Sequence, residues 1–339
     1  MITSNETTIP TVDLAAFING NNEERRQIAE HVDGICRSIG FLIIENHGVS
    51  RDISDTAWSV ARRFFDLPLA EKLASQPLES GSPRGYFPIE QESLAKTQGI
   101  DTPPDPKECY SSGPLSPPGG HSPDENFDFF YGPNLWPANP AEFGQAWVDY
   151  YGAMEQLGSQ IMQMLAMALR LNENYFVDFH THHLGALRAL NYPEVADELQ
   201  SGQQRAGAHS DYGSLTILKP DPLVGGLEVQ QSSGNWISAP TVEDGFIVNI
   251  GDLLARWTND RWVSTMHRVT DSARHSGRPA QRRQSIAYFM NPNYDAKIDT
   301  IPTCLKAGET TKYPSVLAGQ YLVEKFGSAI QQRPATAPQ

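Results

Sequence analysis

The second half of the chain consists of short apolar runs separated by turn residues, and this pattern limits the folds open to it. From about Leu184 onward, the runs alternate with clusters of Gly, Pro, Asn and Asp. Many short strands at such spacing predict a sandwich or barrel, with a jelly roll among the options. There is no βαβ alternation, no GxGxxG and no P-loop sequence, which argues against a nucleotide-binding fold. The clearest runs are residues 215–218, 226–229, 246–250 and 285–289.

The first half predicts helices around a few short strands. Apolar residues at helical spacing indicate one helix from Asn22 to about Gly40 and another over about residues 53–65. The apolar run at 41–44 predicts a buried strand between them.

The longest helix and a long loop are expected in the middle of the chain. Asn139 followed by Pro140 predicts the helix start, because Asn caps helices and Pro suits the first helical position. Residues 97–124 are rich in Pro, Gly, Ser and Asp, and predict a loop or lid. The apolar stripe of the helix, which we interpret as core rather than a cofactor site, is Phe143, Trp147, Tyr151, Met154, Leu157, Ile161, Met164 and Ala168.

Charge excludes several classes of partner. The 339 residues include 26 basic and 40 acidic side chains, which gives a formal net charge of −14. Binding to phosphates needs clustered Lys and Arg, so we expect neither nucleic acid nor an anionic membrane as a partner. No obligate protein partner is indicated. An anionic ligand would need a local positive group rather than the overall field of the protein.

Cysteine usage indicates a reducing compartment. Cys36, Cys109 and Cys304 lie far apart and form no CxxC pair, so neither a disulfide framework nor a zinc ribbon is expected. The first residues lack the basic and apolar segments of a secretory signal, and no apolar run is long enough for a membrane span. We therefore expect a cytoplasmic protein.

Three residues of the β-type half predict a metal site. His209 and Asp211 form a His-x-Asp pair, and alternation along a strand directs both side chains to one face. His267 follows within a strand-like run, residues 263–269, that a jelly roll can bring beside the first pair. Two imidazoles and one carboxylate match the facial triad of non-haem Fe(II) oxygenases. Such a triad leaves the opposite face of the ion open for a co-substrate and O₂.

Arg283 and Ser285 predict an anion site on the last clear strand. They share a face by the same alternation, and a guanidinium with a hydroxyl is a good receptor for a carboxylate. A buried Arg needs an anion, because an unpaired buried charge is very costly. The alternative is a surface Arg paired with a nearby acidic residue, a role that the neighbouring Arg278 and Arg282 can also fill.

A second histidine cluster offers a weaker metal hypothesis. His180, His182 and His183 lie close together, but no carboxylate follows at strand spacing. We favour a polar helix end for this cluster over a second metal site.

Taken together, these residues carry a family resemblance. The set His209-x-Asp211, His267 and Arg283-x-Ser285 resembles the Fe(II)/2-oxoglutarate-dependent dioxygenases of the isopenicillin N synthase-like superfamily. The resemblance extends over about residues 8–325 and does not depend on the site alone. Further blocks that resemble the family in sequence and order are residues 9–14, 40–49, 63–68, 84–86 and 132–137.

The resemblance implies a mainly β fold with helical decoration, in which a double-stranded β-helix (jelly roll) core is flanked by N-terminal and C-terminal helices. We expect four regions: an N-terminal region with the lid, a connecting helix region, the core, and a C-terminal helix with a tail. In that order they cover residues 8–125, 126–183, 184–295 and 296–339.

The resemblance also implies the cofactors. The triad would hold Fe(II), and 2-oxoglutarate would chelate the iron while its far carboxylate meets Arg283, Ser285 and Tyr192. In two places the sequence departs from the family pattern. Leu190 stands where relatives often have Asn, and the interval between His267 and Arg283 is long, which indicates a longer hairpin loop around residues 272–281.

The implied activity is the oxidation of a small organic molecule by O₂, with 2-oxoglutarate converted to succinate and CO₂. Hydroxylation is the default outcome, with desaturation or cyclisation as variants, and the resemblance favours a role in secondary metabolism. The metal centre itself would be the catalytic group. Tyr86, Phe289 and the segment 97–124 are the expected substrate-pocket residues.

Two alternatives remain open at this point. One is an oxidase of the same superfamily that does not use 2-oxoglutarate, like isopenicillin N synthase. The other is a non-catalytic jelly-roll protein whose triad binds structural zinc, although structural zinc sites usually have four ligands and many cysteines.

Overall fold

The structure is a computed structural model that describes residues 8–77, 82–95, 99–100, 102–118, 125–194, 203–271 and 281–330. Within these ranges the chain forms two facing β-sheets, and helices cover the outer face of the larger one. This arrangement confirms the expected mainly β fold with helical decoration. A search of the described helices finds none with the length and apolar character needed to cross a membrane.

The element bounds agree with most of the sequence prediction. Among the described residues, the helices are α1 (Leu14–Asn19), α2 (Asn22–Ser38), α3 (Arg51–Phe65), α4 (Leu69–Leu73), α5 (Glu125–Tyr131), α6 (Phe143–Ala168), α7 (Asp252–Trp257) and α8 (Ala318–Ile330). The strands are β1 (Thr11–Asp13), β2 (Phe41–Glu45), β3 (Gly85–Phe87), β4 (Glu108–Ser112), β5 (Ala186–Tyr192), β6 (Ala206–His209), β7 (Leu215–Lys219), β8 (Leu227–Gln230), β9 (Trp236–Ser238), β10 (Phe246–Ile250), β11 (His267–Val269), β12 (Arg283–Met290), β13 (Lys297–Ile298) and β14 (Val316–Leu317).

In the described part of the chain, the strands divide into a large sheet, a small sheet and a hairpin. The large sheet has the order β1-β2-β10-β7-β12-β5-β4-β3, and the small sheet has the order β6-β11-β8-β9. Strands β13 and β14 pair only with each other. All four runs predicted from the β-type half are strands. The side of the large sheet that faces the small one is called the inner face below, and the other side is the outer face.

Helix α6 lies at the centre of the helical layer, and two other helices pack against it. Every residue of its predicted stripe is buried, and α2 and α3 pack against it. Its start was predicted too early. The Asn139-Pro140 peptide bond is cis, and the helix begins at Phe143 because residues 140–143 first form a turn closed by the Phe143 N–H to Pro140 carbonyl hydrogen bond.

Local signals explain how α2 begins and ends. Asn21 accepts hydrogen bonds from the backbone of Glu23 and Glu24, and the Glu24 side chain reaches back to the Asn21 N–H, which is a capping box. Gly40 then takes a φ of +64°, and a side-chain carbon there would lie 2.2 Å from the Val263 carbonyl oxygen. Only glycine fits this turn, so the chain can leave α2 and enter the sheet directly.

The expected lid contains a buried strand. Residues 108–112 of the segment 97–124 form β4, whose residues are all buried between β3 and β5. The prediction missed this strand because Pro, Gly and Ser surround it and its residues show no alternation of apolar and polar side chains. The large sheet therefore draws on residues before 184 as well as on the predicted core, and the region boundaries at 125, 183 and 295 stay predictions. The loop expected around 272–281 lies almost wholly outside the described residues.

Glu108 joins β4 to the helical layer and to β5. Its carboxylate accepts hydrogen bonds from Lys72 Nζ at 2.7 Å, the Tyr86 hydroxyl at 2.5 Å and Asn191 Nδ2 at 2.7 Å. Removing it leaves the buried Lys72 ammonium without its counter-charge. We expect Glu108→Ala to lower the free energy of unfolding by about 3–5 kcal/mol, measured by urea denaturation.

Arg51→Ala is the control for this prediction, because it removes an exposed ion pair with Asp244 at 2.7 Å. Exposed pairs contribute little, so the unfolding curve should stay close to that of the parent protein. Similar losses in both variants would contradict the assignment of stability to the buried pair.

Candidate metal and co-substrate site

The predicted triad converges on one point between the two sheets. His209 ends β6, His267 begins β11, and the antiparallel register pairs these two residues directly. Asp211 follows β6, and its Oδ1 lies 3.9 Å from His209 Nε2 and 3.8 Å from His267 Nε2. All three ligand atoms lie within 4.8 Å of one another. One ion can therefore reach all three donors, since metal–ligand bonds of this kind are roughly 2.0–2.2 Å long.

Hydrogen bonds orient both imidazoles toward this point. Nδ1 of His209 lies 2.7 Å from the Gly207 carbonyl oxygen, and Nδ1 of His267 lies 3.1 Å from the Thr265 carbonyl oxygen. A carbonyl partner fixes the proton on Nδ1 and leaves the lone pair on Nε2 for a metal. The ring of Phe41 packs edge-on against His267 at 5.3 Å between centroids and limits its rotation.

Two strand residues orient the carboxylate. The Thr216 hydroxyl donates to Asp211 Oδ2 at 2.6 Å, and Asn249 Nδ2 donates to the same oxygen at 2.7 Å. Thr216 and Asn249 are cross-strand partners on the inner face. Because Oδ2 is occupied, Oδ1 is the oxygen left to face the imidazoles. The prediction from sequence missed both residues, although a polar residue within each apolar run was the available signal.

Burial and neighbouring groups keep His209 and Asp211 in the protonation states that bind a metal. Burial, with His267 close by, lowers the pKa of His209 well below its usual value, so the imidazole stays neutral. Burial alone would raise the pKa of Asp211. The two imidazoles and the donors Asn249 and Thr216 outweigh this effect, so the pKa of Asp211 lies below its ordinary value. Two imidazoles and an ionised carboxylate form a donor set that suits Fe(II).

Arg283 is a buried cation that lacks an acidic partner among the described residues. It is 3% exposed, its Nη1 lies 3.2 Å from the Ser285 hydroxyl oxygen, and its Nε is buried without a hydrogen-bond partner. Tyr192 is its cross-strand partner and places its ring 5.1 Å from the guanidinium carbon. An unpaired buried guanidinium is very costly, so this pocket fits a carboxylate from a ligand.

The two predicted substrate-pocket residues face opposite sides of the large sheet. Tyr86 pairs with Tyr110 on the outer face, and its ring contacts Phe64 of α3 at 5.8 Å between centroids. It therefore belongs to the helical layer, and its assignment to the pocket is wrong. Phe289 lies on the inner face with Arg283 and is paired with Thr216, so it remains a candidate for the pocket.

A cluster of buried and half-buried charges on the inner face was missed by the prediction from sequence. Arg188 Nη2 lies 2.6 Å from Glu92 Oε1, and Lys107 Nζ lies 2.7 Å from Asp105 Oδ2 and 3.6 Å from Glu92 Oε2. The only local signal was the position of Arg188 four residues before Tyr192, which puts both on one face. The sequence of the loop around Glu92 gave no sign that the Glu92 side chain points to Arg188.

The second histidine cluster does not form a metal site. His183 Nε2 lies 2.8 Å from Glu155 Oε1, and Nδ1 of the half-buried His180 lies 2.9 Å from the Phe176 carbonyl oxygen. Within the described residues, the search for clusters of His, Cys, Asp and Glu finds the triad and no other group. The cysteines Cys36, Cys109 and Cys304 are free and buried.

Sequence comparisons agree with this geometry. Residues 9–139 match the family model described as the non-haem dioxygenase in morphine synthesis N-terminal region, and residues 174–292 match the 2OG-Fe(II) oxygenase superfamily model. Validamycin A dioxygenase of Streptomyces hygroscopicus subsp. limoneus is 31% identical, over 94% of this chain and 85% of its own length. The chain belongs to the 2-oxoglutarate–Fe(II) oxygenase superfamily. Its membership confirms the resemblance drawn from the sequence.

Further relatives of this oxygenase have the same reaction class. Homoarginine-6-hydroxylase 2-ODD-233 of Oryza sativa subsp. japonica is 30% identical and covers 94% of this chain and 96% of its own length. The crystal structure of full-length Neurospora crassa T7H in complex with alpha-KG has a TM-score of 0.83 and 31% identity, and covers 96% of this chain and 97% of that one. The oxygenase is therefore an enzyme that uses Fe(II), 2-oxoglutarate and O₂ to oxidise a small organic molecule.

Metal binding should depend on the triad and not on the second histidine cluster. We expect His209→Ala and Asp211→Ala to abolish tight binding of one Co(II) ion per chain, followed by its visible absorption. Asn249→Ala should weaken binding by roughly 10–100-fold, as loss of an outer hydrogen bond to a ligand does. His183→Ala is the control and should bind Co(II) like the parent protein. Undiminished binding in His209→Ala would contradict the assignment.

Proposed function

We propose that His209, Asp211 and His267 bind Fe(II) and that Arg283 and Ser285, with Tyr192 beside them, bind the far carboxylate of 2-oxoglutarate. The observation that carries this assignment is the buried Arg283, which lacks an acidic partner in the described chain and lies on the inner face, the side of the large sheet toward the strands of His209 and His267. A dicarboxylate held at both ends would neutralise this charge and reach the open side of the metal.

When bound, Fe(II) with 2-oxoglutarate and O₂ supplies an oxidant for a C–H bond, and 2-oxoglutarate becomes succinate and CO₂. The side chains of the protein orient and enclose this chemistry. Thr216 and Asn249 hold Asp211 in one rotamer, and the backbone carbonyls hold both imidazoles. The apolar Leu190 and Ala287 lie on the inner face between Arg283 and Phe289.

We further propose that the substrate pocket lies beyond Ala287 on the inner face, where Phe289 and Arg188 project. The polar end of the pocket contains two cations, Arg188 and Lys107, and two anions, Glu92 and Asp105, so its charges balance. A charged substrate group would upset this balance in a buried place. We therefore infer an uncharged polar group on the substrate, which accepts a hydrogen bond from the buried Arg188 Nε.

The ligands of one structural relative support a substrate of this kind. Neurospora crassa T7H has been crystallised with thymine and with 5-formyluracil, and both are uncharged and rich in hydrogen-bonding groups. Several relatives at 30–33% identity are dioxygenases and hydroxylases of microbial and plant small molecules. We propose that this oxygenase hydroxylates a small molecule of secondary metabolism in the cytoplasm, without a nucleic acid, membrane or obligate protein partner.

The 2-oxoglutarate anchor can be tested with two adjacent arginines. Arg283→Gln should raise the KM for 2-oxoglutarate by roughly 100-fold, because it removes charge-assisted hydrogen bonds that contribute about 3 kcal/mol. Succinate formation is the measurement. Arg282→Gln is the control, since Arg282 pairs with Asp66 at the surface and should leave this KM nearly unchanged. Equal effects, or no succinate from the parent protein, would contradict the proposed anchor.

The substrate inference can be tested with thymine as an uncharged probe and orotate as its carboxylated counterpart. We expect thymine, but not orotate, to raise succinate formation above the rate without substrate. Arg188→Met should reduce this stimulation by about tenfold, as loss of a charged hydrogen-bond donor does, and leave the KM for 2-oxoglutarate unchanged. Stimulation by orotate alone would contradict an uncharged substrate group.

A further inference from the structure

The strand that carries His209 lies at the edge of the small sheet. Among the described residues, strand β6 pairs with β11 alone, so groups other than a strand contact its free edge. The segment between β3 and β4 supplies one of them. The Gly207 N–H donates to Asp105 Oδ1 at 3.1 Å, and this contact is buried. The Asp105 side chain thus accepts the hydrogen bond that a neighbouring strand would accept from Gly207, two residues before the proposed metal ligand His209.

The segment between β3 and β4 packs closely against β6 at Gly207. A side-chain carbon at Gly207 would lie 2.6 Å from the backbone nitrogen of Ala95 and 2.7 Å from its Cβ. Glycine is therefore needed here for close approach rather than for its backbone freedom. The carbonyl of Gly207 is also the partner of His209 Nδ1 at 2.7 Å. One residue thus contacts Asp105 through its N–H and orients the imidazole through its carbonyl.

Asp105 has every feature of a rigid anchor. It is 2% exposed, and its Oδ2 accepts hydrogen bonds from Lys107 Nζ at 2.7 Å and from the Leu94 N–H at 3.2 Å. Lys107 is its buried counter-ion, with a side chain that is 1% exposed. Both oxygens of Asp105 are occupied by donors, so it is not a candidate ligand for the metal.

We propose that Asp105 is a positioning residue of the metal centre, which holds the edge of β6 through Gly207 so that His209 keeps its direction toward the metal. Lys107 Nζ, 2.7 Å from Asp105 Oδ2, holds the Asp105 side chain in place. Glu92 links Lys107 to the proposed substrate pocket. Its Oε2 lies 3.6 Å from Lys107 Nζ, and its Oε1 lies 2.6 Å from Arg188 Nη2. The inference rests on the proposed assignment of His209 as a metal ligand.

The test compares Asp105→Ala with Asp105→Asn by Co(II) titration without 2-oxoglutarate. Asp105→Ala should weaken Co(II) binding by roughly 10–100-fold, the usual effect of losing an outer partner of a ligand. Asp105→Asn retains an oxygen that can accept from the Gly207 N–H, so it should restore binding to within a few-fold of the parent protein. Co(II) binding in Asp105→Ala equal to that of the parent would overturn the proposal, as would Asp105→Asn that is as weak as Asp105→Ala.

Asp221→Ala is the matched control for lost stability. Asp221 is also buried, and it accepts hydrogen bonds from the backbone N–H groups of Leu223, Val224 and Gln284 at 3.0 Å each. None of these three donors lies on β6, so its loss should lower stability without weakening Co(II) binding. Equal weakening of Co(II) binding in Asp221→Ala and Asp105→Ala would show a general effect of destabilisation and overturn the positioning role.

A spectroscopic readout follows His209 directly. In the Co(II) protein, the Nδ1–H proton of each bound imidazole gives a shifted, exchangeable NMR signal. Asp105→Ala should speed solvent exchange of the His209 signal and leave that of His267 unchanged. Unchanged exchange at both would overturn the proposal. If His209→Ala still binds Co(II) normally, the ligand assignment itself fails, whereas a defect in His209→Ala with a normal Asp105→Ala rejects only the positioning role.

Discussion

The register between β6 and β11 is the constraint on which the rest of the site depends. These strands are distant in sequence, yet their pairing sets His209 directly opposite His267. A slip of one residue would turn one imidazole away from the other, because side chains alternate between the two faces of a sheet. The large sheet then supplies Thr216 and Asn249, which direct Asp211 to the same point. The metal site is thus a property of two facing sheets rather than of one motif.

Buried charges in this molecule are of two kinds. Some are paired with an opposite charge of the protein and stabilise the fold, and Arg283 is left for a ligand to neutralise. Glu108 with Lys72, and Asp105 with Lys107, are neutralised within the protein, so each pair can remain buried without any added group. Arg283 is equally buried but lacks an acidic partner in the described chain. The same physical rule that accounts for the structural pairs therefore identifies the anion site.

The site was predictable from sequence where it depends on local alternation, and not where it depends on distant pairing. Period two along one strand was enough to put Arg283 and Ser285 together, and the resemblance supplied the fold that unites the triad. Tyr86 was assigned to the wrong face, because the side that an edge strand turns inward is set by its pairing through β4 to β5. The Asp105 contact with Gly207 likewise joins segments about a hundred residues apart.

Asp211 and Asp105 show why composition alone cannot assign roles in such a site. Both are buried carboxylates close to His209, and both accept several hydrogen bonds. At Asp211 the donors occupy Oδ2 only, so Oδ1 is left facing the two imidazoles. At Asp105 donors occupy both oxygens, and one of these donors is a buried ammonium. A cation would have to displace Lys107 to bind there, whereas at Asp211 it completes a set of donors that already points to it.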